Sequence, residues 1–137
     1  MNAIPDSFPI SPRLLAAAPH RLLFFVGATN VLAAMLWWTL WLAEARFGVL
    51  GLAQPPVFAG WAHAFVMQYQ VLTPFIFGFL LTVFPRWMGQ PELTRWHYLP
   101  VGFGLLSGQV LFLVGLFGFP HLVHLGVINT MAGWIAG

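Results

Sequence analysis

From Leu22 to Ala43 the chain carries no charged side chain. As a helix rising 1.5 Å per residue, such a segment spans about 33 Å, enough to cross the hydrocarbon core of a bilayer. It is too long for the apolar region of a signal peptide, and no convincing small-residue cleavage site closes it. Trp37, Trp38 and Trp41 gather towards its far end, where an aromatic belt belongs. A water-facing fold is excluded by the charge count. Only 6% of the 137 residues are charged, against about a quarter in a soluble domain.

Further segments read the same way, at roughly 58–84, 98–118 and 121–137. Gly48, Gly51, Pro55 and Pro56 break the chain between the first two, Gly89 and Pro91 between the next two, and Phe119-Pro120 before the last. The expected fold is all-α: a polytopic bundle of about four transmembrane helices. It forms a single membrane domain over residues 1–137, entered by a Pro-rich arm over residues 1–21 with Pro5, Pro9, Pro12 and Pro19. The last helix is still apolar at Gly137. The chain is therefore expected to be the N-terminal piece of a longer protein whose remaining helices complete the bundle.

The charges set an orientation. Arg13 and Arg21 flank the arm, Arg86 and Arg95 lie between the second and third helices, and Arg46 alone lies between the first and second. Counting basic residues per connection places the N terminus in the cytoplasm. Asp6, Glu44 and Glu92 are the acids. Arginines spread this evenly give no nucleic-acid footprint, so the expected partner is the lipid bilayer. Cysteine is absent, so thiolate metal sites and c-type haem attachment are excluded, and any metal must use His, Met or oxygen ligands. There is no nucleophile–base pair, no paired carboxylate site and no phosphate loop. Whether the chain is an enzyme stays open.

The second helix holds the most informative pattern. His63, Met67, Gln70, Pro74, Gly78 and Leu81 recur at steps of three or four and so share a helix face. His63 begins that helix, and His121 and His124 begin the fourth, so the topology places all three at similar depth on one side. Imidazole and thioether donors suit haem iron and copper. Against this, His at a membrane interface often bonds only headgroups or water, and Met67 is a common apolar gap-filler. His20 and His97 fall on the opposite side, beside Arg21 and Arg95.

Gln68, Tyr69, Gln70 and Thr73 make a polar patch that should point into the bundle, since a polar group facing lipid is costly. Such a patch serves interhelical hydrogen bonding or lines a small cavity. Pro74 has no N–H for the carbonyl of Gln70, so a kink is expected there near mid-membrane. In the third helix Gly104-x-x-x-Gly108, with Ser107 and Gly115 nearby, suits close helix packing.

The segment Gly78-Phe-Leu-Leu-Thr-Val-Phe-Pro-Arg-Trp-Met-Gly89 resembles the GFLLT-x-x-P-x-W-x-G signature of the NnrS family. Pro19-His-Arg-Leu-Leu-Phe-Phe25 is similar to that family's entry into its first helix. The spacing from His63 to Gly78 matches the family's His-Ala-His-Glu-Met motif, with His63, Ala64 and Met67 in register and Phe65 and Val66 replacing the second His and the Glu. The resemblance implies a polytopic membrane protein associated with haem, copper and nitric oxide stress in denitrifying bacteria. It makes His63 an axial or copper ligand, with Met67, His121 or His124 as a second, and Phe65, Phe75 and Phe77 as an apolar wall. Two rivals stand beside it. A permease or channel would use the Pro74 kink, and a non-catalytic assembly subunit would use Gly104 and Gly108 as its packing surface.

Overall fold

The computed structural model describes residues 12–137, with side chains from Leu14 onward. Pro5, Asp6 and Pro9 of the N-terminal arm, and the side chain of Arg13, lie outside the described residues. Within them the arm holds one helical turn, α1 (Pro12–Leu15), and then α2 (Pro19–Phe47) begins. The second span is built in three pieces: α3 (Ala59–Phe65), a π-helical segment (Val66–Val71) and α4 (Leu72–Trp87). Two more helices follow, α5 (Arg95–Gly115) and α6 (Pro120–Ala136).

The fold is an all-α bundle, with no strand among the described residues. Among the described residues three helices are long and apolar enough to cross a membrane: Pro19–Phe47, the compound Ala59–Trp87, and Arg95–Gly115. The fourth, α6, has 17 residues.

Helix ends follow local chemistry. Pro19 opens α2 and Pro120 opens α6, each at a first-turn position where a missing N–H costs no intrahelical bond. Gly48 closes α2 at φ 63°, and its N–H donates to the Glu44 carbonyl over 2.8 Å. The Glu44 carboxylate then accepts from the N–H groups of Leu50 and Gly51 at 2.7 and 3.0 Å, holding the outgoing loop. Both signals extend α2 beyond the charge-free run at each end. Between α4 and α5, Gly89 turns at φ 64°, and Arg86 pairs with Glu92 at 2.8 Å with both side chains largely in solvent. A pair so exposed adds little to stability.

The closest packing is between α5 and α6. A Cβ on Gly104 would lie 2.7 Å from the Cα of Gly133, and one on Gly126 would lie 2.5 Å from the backbone N of Phe112. Gly104 and Gly108 therefore serve contact within the chain, backbone against backbone. On the other side of the bundle α2 meets α4 through Gly27, against the Phe75 ring, and Gly78, against Phe24 and Leu23. Two apolar clusters result. One surrounds Ala34, Trp37, Val66 and Phe112, and the other surrounds Leu23, Val26, Val101 and Leu105.

Of the face read from spacing, Gln70, Pro74 and Gly78 are buried and His63, Met67 and Leu81 half-buried; before the break the fully buried positions are Ala59, Ala62 and Val66. The polar patch divides. Gln70 and Thr73 turn inward, whereas Gln68 and Tyr69 are exposed. Four residues this close together cannot share one side of a helical backbone, wound α or π.

Candidate functional site

Two constellations stand out, one at the start of the second span and one at its break.

At the first, His63 lies on the second turn of α3, with its ring flat against Trp38 at 4.1 Å between centroids and 17° between planes. Trp38 stacks in turn on Trp41 at 5.0 Å and 16°. The two indoles are three apart on α2 and share a face, so the aromatic cluster expected as an interfacial belt is also a platform for His63. Trp38 covers one face of the imidazole. Nδ1 is enclosed and has no hydrogen-bond partner. Met67 packs half-buried against the cluster around Ala34 and Val66.

His121 and His124 are exposed on the first turns of α6. Among the described residues, no group of three or more His, Asp or Glu side chains is placed to hold a metal ion. His97 is exposed and pairs with the Thr94 hydroxyl at 2.9 Å. The three phenylalanines do not line one wall: Phe65 packs on Phe112, Phe75 on Phe24, and Phe77 on Trp134.

At the second constellation, Pro74 has no N–H. It therefore cannot donate to the carbonyl four residues back, Gln70, where an α-helical bond would run, or to the one five residues back, Tyr69, where a π-helical bond would run. Each finds a side chain from another helix. Asn30 Nδ2, on α2, donates to the Gln70 carbonyl over 2.7 Å, and Trp134 Nε1, on α6, donates to the Tyr69 carbonyl over 3.4 Å. This is how an irregular backbone is tolerated inside a membrane-spanning bundle. Asn30 is part of a larger node. Gln109 Nε2 donates to the Asn30 backbone carbonyl at 2.6 Å, and Gln70 Nε2 donates to the Thr130 hydroxyl at 2.9 Å. Thr130 in turn donates to the Gly126 carbonyl at 2.8 Å. All four side chains are buried. Beside the node, between the π-helical segment and α6, an apolar cavity of about 390 Å³ is lined by Phe65, Tyr69, Thr130 and Trp134 among others.

Asn30, Gln109 and Thr130 escape a reading based on charge-free runs. The signal for them was present, since an amide inside an otherwise apolar span must find a buried partner.

A protein-family model described as NnrS protein matches residues 14–136. The chain belongs to the NnrS family. No curated protein and no solved structure matches it. In this NnrS chain the two residues that open and close the GFLLT run have structural tasks. Gly78 admits the Phe24 ring, a Cβ there falling 2.8 Å from two of its carbons. Thr82 donates to the Gly78 carbonyl at 2.7 Å and accepts from the backbone N–H of His20 at 3.2 Å. That N–H belongs to the first turn of α2, which has no intrahelical acceptor, so Thr82 caps α2 from α4. Thr82→Val keeps the shape and removes the cap. It should lower stability by about 0.5–2 kcal/mol, the usual range for a lost N-terminal cap. Denaturation in detergent, with Thr82→Ser as the retained-hydroxyl control, measures it.

Proposed function

We propose that this NnrS-family membrane protein binds haem through His63 and serves nitric oxide or nitrosative-stress metabolism. In this reading it lies in a bacterial inner membrane with its N terminus in the cytoplasm. The observation that carries the reading is the His63 ring, clamped on Trp38 with an enclosed, unpartnered Nδ1. A buried imidazole nitrogen normally has a hydrogen-bond partner or a metal.

The donor set fits a group that asks one protein imidazole of this region better than it fits a complete copper site. A copper site would draw on Met67, on His121 and His124, or on donors from helices beyond this chain. Haem iron, when bound, supplies the centre to which nitric oxide binds. The chain's own part is to hold and orient His63. Trp38 and Trp41 fix the plane of the imidazole, and the apolar residues around Ala34 and Val66 keep water from that side. Nitric oxide, small and weakly polar, enters through lipid.

His63→Ala in the full-length protein, purified from membranes, should keep the helical content and lower haem affinity. The loss should be at least about 10–100-fold, the cost typical of losing even an outer-shell partner of a metal ligand. Haem absorbance and metal analysis read the outcome. Wild-type protein that takes up no haem would sink the proposal.

A further inference from the structure

We infer that the node at the break of the second span is a binding site for internal water, held by the side-chain oxygens of Gln70 and Gln109. The inference is independent of any metal at His63.

The orientation of each amide at the node is forced. Thr130 has one hydroxyl proton, and it goes to the Gly126 carbonyl. Towards Gln70 the hydroxyl can therefore only accept, which turns the Gln70 NH2 to it and the Gln70 Oε1 away. Gln109 meets the backbone carbonyl of Asn30, an obligate acceptor, so its NH2 also faces the contact and its Oε1 points elsewhere. Rotating either amide by half a turn would set oxygen against oxygen. Both Oε1 atoms are thus true acceptors. Both are buried and accept no hydrogen bond from the described residues. The two side chains belong to one node through Asn30, whose Nδ2 donates to the Gln70 backbone carbonyl and whose own backbone carbonyl accepts from the Gln109 side chain.

Two unpaired amide oxygens in a low-dielectric interior call for a donor. A cation is the wrong one. Among the described residues no carboxylate is at hand, because Glu44 holds the loop after α2 and Glu92 pairs with Arg86. A lone charge among neutral amides between apolar helices would be costly. Water matches the need: it brings two O–H donors for two oxygens. Its lone pairs can take the remaining amide protons of the node, within the two to four bonds an internal water usually makes. Through this water α2, the π-helical segment, α5 and α6 share one continuous polar seam.

The test is a map of the full-length protein in lipid nanodiscs, at a resolution that shows ordered solvent, with melting temperatures in sodium, potassium and choline chloride. The expected result is a peak within hydrogen-bonding distance of both Oε1 atoms and one melting temperature in all three salts. Gln109→Met, which keeps the side-chain length without the oxygen, should remove the peak and lower the melting temperature. The inference is overturned by a wild-type map with no peak at the node. It is equally overturned by both oxygens being paired to protein donors, or by a melting temperature that rises in sodium or potassium over choline, the signature of a bound cation.

Discussion

Gly108→Ala should lower the stability of this protein by at least about 3 kcal/mol, the upper end of what overpacking costs in a filled interior. Alanine is the better helix former by about 0.8–1 kcal/mol, so propensity alone forecasts a gain. The interface decides otherwise. The added methyl would run into the Thr130 hydroxyl, and it would lie 2.8 Å from the Thr130 backbone N and 3.0 Å from the Gly126 carbonyl. Two of those three obstacles are backbone atoms of α6, so no rotamer change relieves them and the helices must separate. Separation also pulls Thr130 from Gln70, so the damage reaches the node. Gly126→Ala should act alike from the opposite helix, against Phe112 and the Gly108 carbonyl. The double variant should cost little more than either single one, because the second methyl enters an interface already parted. Gly89→Ala is the control: open space surrounds that position and only its φ of 64° resists, a cost of about 1–2 kcal/mol. Denaturant titration of detergent-solubilised protein ranks the variants. A Gly108→Ala protein as stable as the parent would mean that α5 and α6 do not meet this closely.

That interface was half legible in the sequence. The Gly104-x-x-x-Gly108 spacing marks a close-packing face, but Gly126 and Gly133 are seven apart and attract no attention until α6 is laid against α5. The spans were legible because so few charges leave few ways to place the ends of the helices. Pro19 and Gly48, the residues that extend α2 past its charge-free run, are ordinary boundary signals. Gln70, Pro74 and Gly78 were readable as one buried face from helical spacing, whereas before the break Ala62 and Val66 take the fully buried places beside His63 and Met67. The π-helical segment was not readable. It depends on donors from Asn30 and Trp134, both far away in sequence, and local propensity does not encode them. At the candidate site, His63 could be singled out as an intramembrane ionisable residue. Its stack on Trp38 needed the crossing of α2 and α3, which no pattern within either helix gives.

Removing the Asn30 amide should be a second severe change, and one that a second substitution reverses. Asn30→Leu takes away the donor that serves the Gln70 carbonyl. Interhelical hydrogen bonds within membranes average only about 0.6 kcal/mol, because a polar group that loses one partner finds another. The Gln70 carbonyl is denied that escape, since Pro74 stands where the usual helical N–H would be. The full penalty for a stranded buried acceptor then applies, about 1–3 kcal/mol. The loss spreads to Gln109, whose amide is bound to the backbone at Asn30. Pro74→Ala restores an N–H to the second span. Alone it should change stability little, because Asn30 already serves the carbonyl and the gain in helix regularity is set against lost ring packing. Combined with Asn30→Leu it should recover about 1–2 kcal/mol, a coupling within the range found for residues sharing one hydrogen-bond network. Hydrogen exchange over residues 66–75 gives the structural readout, fast in Asn30→Leu and slow again in the double variant as an unbroken α-helix takes the place of the π-helical segment. Strictly additive effects would show that Asn30 and Pro74 do not act on the same carbonyl.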